Sequence, residues 1–171
     1  MDIAESKDEA LKGLVTFKIG EEEFGVDLLT VQTIIRMTEP TRVPKSPDFV
    51  EGVINLRGSI IPVIDFRKKF NLPKKEVEKD TRIIVTEIDQ KVIGFIVDSV
   101  SEVLRIPTSS IEPPPPIIAG IDSEYISGVG KLEDRLLILV NLNKLLSDTE
   151  KKEVSQLEDR STNIKDKKEE K

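Results

Sequence analysis

The chain has 171 residues, 37% of them hydrophobic, enough for one compact unit or two small, intimately packed ones. Its formal net charge is -6 and it carries no basic stripe interleaved with aromatics, so it lacks the footprint that neutralises nucleic-acid phosphates. Cysteine and histidine are both absent, which excludes disulfides, thiolate nucleophiles, histidine-based triads and most zinc chemistry; a reducing compartment, simplest as the cytoplasm, is compatible.

Met1 to Lys12 is charged and has no apolar core of a signal peptide, so residues 1–13 read as a charged, flexible leader. No later apolar run approaches the roughly 20 residues of a membrane span, and no membrane insertion is expected. From Leu14 the pattern becomes that of short strands. Leu14 to Ile19 alternates around Val15 and Phe17, and Glu22 to Val26 follows a tight turn at Gly20, which predicts a hairpin. Asp27 can cap a short turn through Leu28 and Val31, and Gln32 to Met37 can be extended before a loop marked by Pro40 and Pro44. Gly52 to Leu56 and Ser59 to Ile64 are apolar, largely β-branched runs joined at Arg57-Gly58, and Asp65 can cap a short helix ending near Phe70.

The same plan then recurs. A shift of about 69 residues lays Val15 to Arg36 over Ile84 to Arg105, matching Gly25 with Gly94, Val31 with Val100 and Arg36 with Arg105. A shift of about 76 lays Gly52 to Phe70 over Gly128 to Leu146, the larger offset reflecting an insertion at Pro113 to Pro116. The folded body therefore runs over residues 14–146 in two halves, about 14–80 and 81–146. No helix of 10 to 15 residues separates successive strands, which points to small barrels or a sandwich. Residues 147–171 are nearly all charge and hydroxyl; a short helix around Val154 to Leu157 fits, but the composition predicts a disordered, dispensable tail.

The run Gly52-Val53-Ile54-Asn55-Leu56-Arg57-Gly58-Ser59-Ile60-Ile61-Pro62-Val63-Ile64-Asp65 resembles the signature of the CheW-like domain family. Phe24-Gly25-Val26-Asp27, Gly94 to Asp98 and Arg135 to Asn141 extend the resemblance across almost the whole body. It implies a mainly β fold of two similar, intertwined, five-stranded SH3-like barrels with a few short helices. It also implies a signalling adaptor without catalysis or cofactor. Its expected partners are the regulatory domain of the histidine kinase CheA and the cytoplasmic tips of methyl-accepting chemotaxis receptors. The absence of a long kinase region favours a free-standing coupling protein, recruited from the cytoplasm to receptor arrays.

Arg57 is the expected kinase contact. A lone arginine on a hairpin tip is commonly a solvated charge, but here its planar fork projects from an apolar hairpin, and the repeat places Glu133 at the matching position. By resemblance, Val15, Leu28, Val31 and Val100 map onto the apolar groove that receives a receptor helix, with ordinary core as the competing reading, above all for Val15. Thr33 stands where many members of the family carry an acidic residue. The carboxylates Glu21, Glu22 and Glu23 read as a solvated hairpin tip, and Gly128 to Lys131 lacks the spacing of a phosphate loop. Two other classes, a carboxylate-dependent hydrolase with an oligosaccharide groove and a passive structural subunit, compete with the adaptor.

Overall fold

The computed structural model describes residues 10–114, 125–147, 149–154 and 156. The first hairpin pairs β1 (Leu11–Ile19) with β2 (Glu22–Asp27). Asp27 ends it as expected, its carboxylate accepting from Leu29 N at 2.9 Å to start a 3-10 turn, Leu28–Thr30. Next come β3 (Val31–Arg36), β4 (Val50–Leu56) and β5 (Ser59–Asp65). Asp65 caps the helix Phe66–Lys69 through Arg67 N. The second half repeats the order with β6 (Arg82–Ile88), β7 (Lys91–Val97), β8 (Ser99–Pro107), β9 (Ile111–Glu112), β10 (Ile126–Lys131) and β11 (Leu136–Val140). Asn141 takes the place of Asp65 as cap of the helix Leu142–Leu145.

These strands form two sheets, in the orders β8-β1-β2-β11-β10-β9 and β3-β6-β7-β5-β4. Each sheet mixes the halves. The chain changes sheet after β2 and again after β7, so β3 and β8 become edge strands of the sheets that their own hairpins do not occupy. The repeat extends to the parallel contacts, since β5 lies beside β7 as β11 lies beside β2.

Hydrogen bonding does not close either ladder: the described residues form two open sheets, and the five-stranded closed barrels expected from the resemblance are not seen as ladders. Proline explains part of this. The segment between β3 and β4 holds Pro40, Pro44 and Pro47, which offer no N–H, and among the described residues its ladder pairing is the isolated bridge Thr41–Val53.

Successive side chains of a strand point to opposite faces, and here both faces of each sheet meet apolar clusters. On β6, Ile84 and Ile88 enter the main core between the sheets, whereas Ile83 and Val85 join Ile54, Ile61 and Val63 on the far face. The other sheet repeats the division, with Leu14, Ile106, Leu137 and Leu139 on its far face. Five of the six phenylalanines meet in the main core, where Phe66 lies 4.5 Å from Phe70 and 5.0 Å from Phe17, both in edge-to-face geometry.

Two boundaries differ from expectation. The supposed leader is already strand at Leu11, because β8 supplies a partner: Leu11 faces Pro107 and Lys12 faces Ile106. The supposed tail is helical at 149–154, with Val154 only 1% exposed in the main core. Ser147 and Glu150 form a reciprocal cap, Glu150 N donating to Ser147 Oγ at 3.1 Å and Ser147 N to Glu150 Oε1 at 2.9 Å. Lys69 binds Glu150 at 2.6 Å and Lys151 binds Asp89 at 2.8 Å. Composition misjudged this segment because one valine is enough when the core that receives it already exists. The remainder of the predicted tail, residues 1–9 of the leader and the end of the proline tract lie outside the described residues.

Candidate functional site: an unpaired arginine and an apolar rim

Arg57 sits in a two-residue turn between β4 and β5, with φ of 53° and Gly58 at 88°. Both central residues are thus left-handed, as a type I′ turn requires, and Asn55 Oδ1 braces it by accepting from Gly58 N at 2.9 Å. Asn, Asp or Gly would hold such a position with less strain than Arg. The guanidinium is exposed and has no ion pair or hydrogen bond among the described residues. Arg135 contrasts with it, gripping Glu23 at 2.6 Å and Glu102 at 2.5 Å. Glu23 is therefore not a solvated carboxylate as expected; its side chain is 9% exposed and paired.

The four apolar candidates separate. Val15 is 1% exposed and belongs to the main core, so it offers no surface to a partner; its pairing with Val26 and Val103 puts it in the middle of a ladder. Leu28, Val31 and Val100 are half-buried and pack on that same core from its rim. Leu28 lies over β1, its Cδ2 3.2 Å from where a Cβ on Gly13 would stand. Val31 is the first residue of the edge strand β3 and Val100 the second of the edge strand β8.

Two further side chains join this rim that the motif reading left out. Ile34 is 37% exposed and faces Ile84; Val103 is 55% exposed and faces Val15. Directly opposed residues project to one side, so both extend the main-core face outward along β3 and β8. The signal was present in the sequence, since the 69-residue shift that pairs Val31 with Val100 pairs Ile34 with Val103. Leu29, 93% exposed at the turn, adds an apolar tip beside Leu28.

A half-buried ion pair ties the helix Phe66–Lys69 to the residue between β7 and β8. Arg67 donates from Nε to Asp98 Oδ1 at 2.9 Å and contacts Oδ2 through a second nitrogen, each side chain being 13% exposed. Gly20 N also donates to Asp98, at 2.7 Å, and Arg67 donates to the Pro73 carbonyl. Burial alone would raise the Asp98 pKa, but the bonds from Arg67 and Gly20 N hold it below the ordinary carboxylate range. Burial pushes Asp65 in the other direction, up.

Among the described residues no group of three or more metal-ligating side chains converges. A cleft of about 690 Å³ includes Arg42, Glu51, Lys68, Lys69 and Tyr125 in its lining. Glu51 is bound there to Lys68 at 2.5 Å and Lys69 to Glu150 at 2.6 Å. The described helices include none long and apolar enough to cross a membrane.

The CheW-like domain matches residues 13–150. The chain is 43% identical over 134 residues to chemotaxis protein CheW of Klebsiella aerogenes, covering 78% of this chain and 81% of that protein. It is 36% identical over 133 residues to the protein of the same name from Bacillus subtilis, covering 78% and 85%. The crystal structure of the scaffolding protein TtCheW from Thermoanaerobacter tengcongensis superposes with a TM-score of 0.75 at 42% identity, covering 81% of this chain and 94% of that one.

Proposed function

The chain belongs to the CheW-like domain family, and from that premise we propose that it is a non-enzymatic chemotaxis adaptor joining methyl-accepting receptors to the histidine kinase CheA. The observation that carries the reading is the separation of two unlike surfaces. Arg57 stands on the hairpin at one edge of the five-stranded sheet, and Val31 begins the strand at the other edge. In the ladder β6, β7 and β5 lie between those two edge strands, which gives two partners separate places to dock.

In this reading Arg57 contacts the regulatory domain of CheA. Its fork is free, and the left-handed turn holds it away from the body at a cost that folding alone does not require. Leu28, Val31 and Val100, with Ile34 and Val103, receive a helix of the receptor tip. Val15 supports that rim from beneath. The protein works in the cytoplasm beside the membrane. We also read each sheet as the wall of a small SH3-like barrel within a single body that runs from Leu11 to Val154, a description supported by the separate far-face core that each sheet carries.

Titration of each variant with a receptor cytoplasmic fragment and with the CheA regulatory domain tests the assignment. Arg57→Ala should weaken kinase binding by more than about 1 kcal/mol and leave the receptor affinity unchanged. Val31→Asp and Val100→Asp should do the reverse, with melting temperature recorded for each because a charge forced into the core would unfold the chain. Unchanged binding to both partners in folded variants would sink the assignment.

A further inference from the structure

The rim ends in charge. Along β3 the residues on the main-core side are Val31, Ile34 and Arg36, facing Thr86, Ile84 and Arg82. Along β8 they are Val100, Val103 and Arg105, facing Phe17, Val15 and Gly13. The two edges therefore present one pattern, two apolar residues and then an arginine, related by the internal repeat. Arg36 and Arg105 are both exposed, and neither guanidinium has a partner among the described residues.

Their placement follows from the contacts. Arg105 is the ladder neighbour of Gly13, over which Leu28 packs, so it lies where β3 begins. Arg36 closes β3 at its far end. One 3-10 turn and one six-residue strand separate these ends, about 25 Å in all. A helix rises about 1.5 Å per residue, so about 16 residues, between four and five turns, cover the same length. Asp27, the carboxylate nearest Leu28 in the chain, is bound to Lys12 at 3.1 Å and leaves Arg105 uncompensated. The protein as a whole is acidic, which makes two free arginines at the ends of an apolar groove a local exception.

We propose that Arg36 and Arg105 form the two ends of a clamp for a partner helix with an apolar seam and an acidic residue near each end, four to five turns apart. The proposal rests on the groove reading given above and specifies its electrostatics. The apolar seam supplies affinity, and the arginines set register and speed of association.

The test uses the full chain and the receptor cytoplasmic fragment at low and physiological salt. Arg36→Glu and Arg105→Glu should each weaken binding about tenfold, and the double variant, whose ends now repel the helix, should no longer weaken as salt rises. A fragment in which the matching acidic residues are replaced by lysine should regain affinity for the double variant. Both positions are exposed, so the melting temperature should not move. Arginine variants that bind with unchanged affinity and salt dependence would overturn the clamp. If Val31→Asp abolishes binding in that case, the groove stands without it. If folded Val31→Asp also binds normally, the groove and the clamp fall together.

Discussion

Arg57 occupies a backbone position that favours asparagine, and this gives a test that separates folding from function. Arg57→Asn should leave the melting temperature equal or higher, because the left-handed strain is relieved, while kinase binding falls. Glycines of the two halves behave differently. A Cβ on Gly94 would stand 2.8 Å from Ile83 Cγ2, on a branched side chain with little room to yield, whereas one on Gly25 would stand 3.1 Å from the end of Leu139. Gly94→Ala should therefore cost about 1–3 kcal/mol in denaturant unfolding and Gly25→Ala less. Asp98 carries the pH dependence. Its folded pKa is depressed, so its contribution is present above the unfolded value of about 3.9 and is lost as pH falls through the folded one. Asp98→Asn should be less stable than the wild type near pH 6, with the gap narrowing toward pH 3. Glu150 has the same sign, while Asp65, raised by burial, opposes it. Arg57 was legible in the sequence because a turn dipeptide between two β-branched runs fixes where a side chain must project. The burial of Val15 was not, because alternation gives a face and not the depth beneath it.

Short elements here borrow their stability. The helical segment at 149–154 is too short to persist alone, and it is held by Val154, the Ser147–Glu150 cap and the ties Lys69–Glu150 and Lys151–Asp89. Truncation after Leu146 should lower stability by about 2 kcal/mol, most of it the burial of one valine side chain, as measured by urea unfolding. Val154→Asp in the full chain should do at least as much damage. The hairpins, the Asp27 and Asp65 caps and the position of β3 followed directly from alternation, glycine turns and acidic caps. The docked C-terminal turn did not, although Ser147 and Glu150 spell a capping box, because composition averages over a segment while docking depends on one residue and the surface waiting for it.

Strand exchange makes the molecule one cooperative body. A fragment ending near Asp80 would keep β1 and β2 without β8 and β11, and β3 to β5 without β6 and β7. It should show no cooperative transition and no dispersed amide spectrum, whereas the complete chain should show a single transition. The repeat made the duplication legible, since two blocks in one order favour duplication over shared apolar spacing; it could not show that the halves trade edge strands, because offset conveys equivalence and not which sheet receives the strand. That trade is what creates the rim at the junction and leaves Arg57 on the far edge of the same sheet. The most direct test is co-sedimentation of the CheA kinase with receptor-bearing vesicles, with and without this chain. The kinase should pellet in proportion to added protein, and fail to do so with either Arg57→Ala or Val31→Asp. Retention of the kinase at the same level whether or not the chain is present would contradict its role as the joint between the two.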